Sequence, residues 1–203
     1  MHEVAGDGQD SKKHETELGK AVGACRDEFS EKFTAYGHSW AILRVSSLAD
    51  RVWTKAARIR RLEELASRSV SPRVPEGAVA EYRGVVNYSV MLLDRLDHEG
   101  LSVPDLNAPS VERWSSLATA MSTYDSITSA TRELLERKDH DYDGAWRSMR
   151  TTTITDEILV RISRVNSILS SPAPDIEVLR DQFQDILNYS LFAIALLSLE
   201  AQR

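Results

Sequence analysis

One stretch of this chain is written twice. Lys32-x3-Tyr36-x3-Trp40-x3-Arg44-x5-Asp50-x7-Arg58 recurs as Lys138-x3-Tyr142-x3-Trp146-x3-Arg150-x5-Asp156-x7-Arg164, each residue 106 positions further on. Downstream, Asn87-Tyr88-Ser89 recurs as Asn188-Tyr189-Ser190 at an offset of 101, so the second copy is shorter between the two blocks. Between the identities lie like-for-like pairs: Leu48 with Ile154, Val52 with Ile158, Lys55 with Arg161, Ile59 with Val165. A sequence duplicated in this way builds one supersecondary unit twice and buries the faces of the copies against each other.

The periodicity within each copy is helical. Leu48, Val52, Ala56 and Ile59 follow a 3-4 spacing that makes one apolar stripe, and no stretch alternates as a strand does. The reading is helix A (17–32 and 111–138), helix B (48–66 and 154–169) and helix C (78–96 and 176–199). Tyr82, Val85, Val86, Leu92, Leu93 and Leu96 supply the buried face of the first helix C. Ser71-Pro72-Arg73-Val74-Pro75 and Ser170-Ser171-Pro172-Ala173-Pro174 break B from C. The expected architecture is all-α: two tandem three-helix units, 17–97 and 111–203, packed as a pseudo-twofold helical bundle. Residues 98–110 form a linker and 1–16 a mobile N-terminal tail.

Composition excludes several classes. A formal net charge of -6 argues against a protein that coats DNA directly, which needs an electropositive face. The lone Cys25 rules out an intramolecular disulfide and a cysteine-based zinc site, and fits a reducing, cytoplasmic setting. Met1–Lys20 lacks a signal peptide's apolar core, and Ile186–Leu199 is too short and too interrupted for a membrane span, which needs about 20 apolar residues.

Polar identities shared by both copies have a structural or a functional cause. Asp50 and Asp156 stand three residues after Ser47 and Thr153, the shape of a capping box at the start of helix B; the alternative is a metal ligand. Arg44 and Arg150, beside clustered hydroxyls and a helix start, form a phosphate cradle or pair with those aspartates. Lys55, Arg58, Arg161 and Arg164 edge the apolar stripe, either paired with acids or turned toward one shared ligand. Asn87 and Asn188 sit in apolar helix, fixing register or reading a base edge. Tyr36, Trp40, Tyr142 and Trp146 bracket the A–B connection as packing or as a stacking platform. The second copy alone carries Glu177, Asp181 and Asp185 on one helical face, a solvated ladder or a magnesium site. It alone also carries Asp139-x-Asp141-x-Asp143-Gly144, the opening of a calcium loop that lacks its closing glutamate.

Three motifs carry a resemblance. Lys32-x-x-Ala35-Tyr36 and Lys138-x-x-Asp141-Tyr142, then Asp50-x4-Lys55-x-x-Arg58 and Asp156-x4-Arg161-x-x-Arg164, then Asn-Tyr in each copy, resemble the nucleotide modification associated domain 1 family. The likeness spans 29–96 and 135–197 and implies an association with phage or bacterial nucleotide and DNA-base modification. Helix C is also similar to the metal-binding helix of MazG-type all-α nucleoside triphosphate pyrophosphohydrolases. That pattern is split here, Glu81 with Gly84 in one copy and Gln182 with Asp185 in the other. Together these imply a nucleotide or modified nucleotide as partner, its phosphates held by Arg44, Arg150, Lys55 and Arg58. They imply Mg2+ on Glu81, Asp181, Asp185 and Asp156, and hydrolysis of a triphosphate. The competing reading is a noncatalytic helical adaptor or assembly protein; self-association of the chain fits either.

Overall fold

In a computed structural model the chain is all-α, and residues 5–106 and 112–202 are described. Positions 1–4 of the expected tail, 107–110 of the expected linker with Val111, and the Asp139 side chain of the acidic loop lie outside the described residues. Six α-helices follow one another: α1 (Ala5–Tyr36), α2 (Val45–Ser67), α3 (Ala78–His98), α4 (Leu117–Tyr142), α5 (Thr151–Leu169) and α6 (Ile176–Ala201). Short 3-10 turns over Ser39–Ile42 and Ala145–Ser148 join A to B in each unit, and Glu112–Trp114 precedes α4. Among the described residues no helix is long and apolar enough to cross a membrane.

The core is the pair of apolar stripes read from the sequence. Leu48, Val52, Ala56 and Ile59 of α2 are fully buried, as are Ile154, Ile158, Ile162 and Val165 of α5. α3 and α6 are buried along most of their length. Across the two units α2 packs on α5 and α3 on α6, like on like, and α1 also packs on α6. Polar bridges reinforce it: Arg26 donates twice to Asp125 at 2.6 and 2.8 Å, and Arg180 donates to Asp97 at 2.6 Å.

Three expectations are corrected. Helix A does not begin at residue 17. α1 runs back to Ala5 through the segment expected as a tail, and from His14 onward it has a surface to lie on. There His14 is buried edge-on to Trp146 at 5.8 Å, and buried Glu17 accepts from Lys20 at 2.7 Å and from Ser198 at 2.8 Å. The capping boxes at Ser47 and Thr153 do not form. α2 starts at Val45 and α5 at Thr151, with Arg44 and Arg150 as N-caps that make no side-chain capping bond. Val45 is 4% exposed, and burying it carries the first turn past Ser47, leaving Asp50 and Asp156 exposed on the helix surface. A true reciprocal cap stands at α4 instead, where Ser116 and Thr119 accept each other's amide at 3.2 and 3.1 Å. Finally, α4 continues through Tyr142, so Asp139 and Asp141 lie on a helix and not in a calcium loop.

Candidate functional site

The first unit contains a cleft where α1, the Ser39–Ile42 turn and α3 meet. Helix α1 ends at Gly37, whose φ of 59° lies in the left-handed region that a glycine enters at no steric cost. The 3-10 turn that follows brings Trp40 back over the core. Arg95, 2% exposed on α3, fixes that turn by donating to the Ala41 carbonyl at 2.9 Å. Trp40 then packs edge-on against Trp114 at 5.0 Å, and Trp114 is held by an indole N–H bond to buried Asp94 at 2.8 Å. Asp94 also accepts from Arg113 at 2.6 Å. Behind the cleft residues Phe29 and Trp40 stands a wall from the second unit: Trp114 lies 5.7 Å from Phe29, and Tyr124 of α4 lies 4.8 Å from it.

In front of that wall is a cavity of about 350 Å³ lined by Phe33, Tyr36, Trp40, Asn87, Tyr88 and Met91, with Lys32 and Lys55 at its edge. The volume sits at the low end of small-molecule sites. Asn87 is 5% exposed, and its Oδ1 accepts from the Tyr124 hydroxyl at 2.9 Å. The Asn87 amide nitrogen and the Trp40 indole nitrogen are buried without a hydrogen-bond partner among the described residues.

Lys32 and Lys55 also line a second, wider depression of about 680 Å³, polar and charged, with Arg58, Arg83, Glu28, Glu31 and Glu81. Its floor is Glu81, 5% exposed, which accepts from Lys55 at 3.0 Å and from Arg58. Glu76 lies 3.5 Å from the same Arg58, so Lys55 and Arg58 are both held by carboxylates beside the aromatic cavity. Gly84 makes this geometry possible: a Cβ there would meet the Lys55 Cε at 2.4 Å, so the lysine stem lies directly across the helix backbone. Glu28 bonds Lys32 and lies 3.9 Å from Arg83.

The second unit does not repeat the cleft. Phe192 stands where the first unit has Met91 and stacks on Trp146 at 4.3 Å with rings 6° apart. Asp185 replaces Gly84 and accepts from Arg161 at 3.2 Å, while Arg161 also pairs with Glu157 and lies 4.5 Å over the Tyr189 ring. Asn188 stays buried, with its Oδ1 unpartnered among the described residues.

The remaining expected site residues divide clearly. Lys55, Arg58, Glu81, Asn87, Tyr36 and Trp40 line the first unit's cleft. Arg161 belongs to the filled counterpart, and Arg164, Arg44 and Arg150 are exposed and line neither depression. Tyr36 and Tyr142 are 73% and 72% exposed, whereas Trp40 and Trp146 are buried. The carboxylates expected to hold magnesium are not brought together. Glu81 is under Lys55 and Arg58, Asp185 is under Arg161, Asp156 lies 3.4 Å from Arg60, and Asp181 is exposed. No three His, Cys, Asp or Glu side chains among the described residues form a metal-holding group. These four carboxylates are thus paired with cations or exposed to solvent one by one. What sequence reasoning passed over is Glu28-x-x-Glu31 on α1, whose spacing puts both acids on one helical face toward the charged depression.

Fold and cleft together define an all-α tandem-repeat protein whose two units differ where the first has its aromatic cleft: there Phe192 stacks on Trp146, and a separate cavity of about 300 Å³ lies beside Trp146 between Leu18, Leu135 and Arg147. The chain belongs to the nucleotide modification associated domain 1 family, whose model matches residues 32–96 and 138–197. Those two segments cover the last turn of helix A together with helices B and C of each unit. No curated protein and no solved structure matches the chain.

Proposed function

We propose that this protein binds a nucleotide or modified nucleotide in the cleft of its first unit. The observation that carries the reading is the junction of two depressions at Lys32 and Lys55, one aromatic with a buried amide, the other charged and holding Lys55, Arg58 and Arg83 among carboxylates. A base fits the first by stacking and edge contacts, and phosphates meet Lys55, Arg58 and Lys32 in the second. The family's association with nucleotide modification points the same way. Glu81 acts here as a positioning group that holds two cations in place, and no hydrolytic step is assigned to it. Any magnesium in this reading belongs to the incoming phosphates, since magnesium keeps few protein ligands when a nucleotide is present.

Thermal unfolding against nucleoside mono- and triphosphates, with and without magnesium, tests this directly. A ligand at 100 times its Kd adds about 2.7 kcal/mol, or roughly 5–10 °C for a chain of this size. Calorimetry should return one nucleotide per chain, because the second unit's counterpart is occupied by Phe192. Lys55→Ala should weaken triphosphate binding far more than binding of the nucleoside. A flat panel across all nucleotides would end the reading and move the search to a protein partner.

A further inference from the structure

We propose that the second unit carries a binding site for a small uncharged aromatic molecule, in the space equivalent to the one Trp114 fills behind the first unit's cleft. Trp114 is fully buried, its ring 5.7 Å from Phe29 and 5.0 Å from Trp40, and Tyr124 stands 4.8 Å from Phe29. Shifted by 106 positions, Phe29 becomes Leu135, Trp40 becomes Trp146 and Tyr124 becomes Leu18. All three of these residues line one cavity of about 300 Å³ between α1, α4 and the Ala145–Ser148 turn.

The duplication supplies no indole to fill it, since 106 positions before Trp114 stands Gly8. His14 takes over only the edge-on contact, lying 5.8 Å from Trp146 at 83° where Trp114 lies 5.0 Å from Trp40 at 86°. An imidazole thus replaces an indole, and leucines replace Phe29 and Tyr124, so each exchange takes ring volume away. An apolar cavity of about 150 Å³ already admits benzene, and this one has room for two fused rings. The charged part of the lining sets the class of guest. Arg147 lies 3.8 Å from Glu15, and Arg132 lies 3.8 Å from Glu136. Two cations and two carboxylates leave no net charge to attract an anion such as a phosphate. An uncharged ring gains instead from burying its surface against Leu18, Leu135 and Trp146. The site therefore differs in chemistry from the nucleotide cleft and does not depend on it.

The test is titration of the full chain with indole and with indole-3-acetate, followed by calorimetry and ligand-observed NMR. The expected result is saturable indole binding with a Kd on the order of 0.1–1 mM, the range open to a ligand of so few atoms. Indole-3-acetate, a net anion, should bind no tighter. Leu18→Tyr and Leu135→Phe place the first unit's side chains in the second and fill the cavity from within. Each should weaken indole binding by more than about tenfold while the thermal midpoint holds or rises. Circular dichroism confirms that each variant is folded, and either one carries the test if the other is not. Absence of saturable indole binding, or binding unchanged in a folded variant, overturns the site. Tighter binding of indole-3-acetate than of indole overturns the uncharged guest. Nucleotide binding in the first unit's cleft is untouched by any of these results.

Discussion

Asp94 shows how a single side chain can hold a wall of the cleft. It is 1% exposed, accepts from Arg113 at 2.6 Å and from the Trp114 indole at 2.8 Å, and Trp114 in turn is the surface on which Trp40 rests. Asp94→Ala removes a buried acceptor that serves a charged and a neutral donor together. The expected cost is about 3 kcal/mol, as for breaking a buried ion pair from one side. Asp94→Asn keeps an oxygen for one of the two donors and should cost distinctly less. Urea unfolding of both variants measures the difference; equal losses below about 1 kcal/mol would mean the network adds no more than an average surface contact. The counterpart of Asp94 is Ala195, so nothing in the duplication draws attention to this residue. Sequence reasoning that trusted identities between the copies selected Asp50 and Arg44, which are exposed, and passed over Asp94, Glu28 and Glu31. Much of the cleft lining, Lys32, Tyr36, Trp40, Arg58 and Asn87, is shared with the second copy, and what sets the two apart, Gly84 against Asp185 and Met91 against Phe192, is written in the differences.

At the scale of elements, helix positions were legible wherever an apolar stripe fixed them. The members of the α2 stripe and the named α3 residues are all buried. Helix ends were not, because two tertiary contacts override local signals: Val45 pulls the α2 start inward, and Trp146 gives α1 a surface to extend along. Gly84 is the element-scale feature that most directly serves the cleft. A glycine inside a 21-residue helix is a poor helix former, and replacing it with alanine should add up to about 1 kcal/mol of helix stability. The alanine Cβ would stand 2.4 Å from the Lys55 Cε and 2.7 Å from its Nζ, and the flexible lysine end yields at little cost. Gly84→Ala should therefore leave stability unchanged or raise it while displacing Lys55 from Glu81 and weakening triphosphate binding severalfold. Paired urea unfolding and nucleotide titration separate the two effects. A variant that binds as the parent does would show that Lys55 does not depend on the open backbone at Gly84.

For the whole molecule, the duplication was legible, but which faces of the units would meet was not, since an apolar stripe does not say which partner covers it. The meeting of α2 and α5 carries a buried polar chain that couples the units to pH. Tyr82 on α3 lies 2.6 Å from the Thr155 hydroxyl of α5, which donates to Glu63 Oε1 of α2 at 2.6 Å, leaving Tyr82 as donor to Thr155. Burial pushes the Glu63 carboxyl above its ordinary value of 4.5, against the pull of the Thr155 bond. A carboxyl whose folded pKa is raised binds its proton more tightly in the native state than in the unfolded chain. Its contribution is thus most favourable below 4.5 and is lost as pH rises from there through the folded pKa. Glu17 works in the opposite sense: its bonds to Lys20 and Ser198 hold it down to about 2, so its stabilisation is present above 4.5 and fades as pH falls toward 2. Glu63→Gln retains an oxygen for Thr155 and cannot ionise. The variant should be more stable than the parent at pH 7, with the gap closing as pH falls to 4.5 and below, measured by urea unfolding at stepped pH. Parallel curves for the two proteins across that range would mean that Glu63 meets water equally in the folded and unfolded chain, and that the seam between the repeats does not sense protons there.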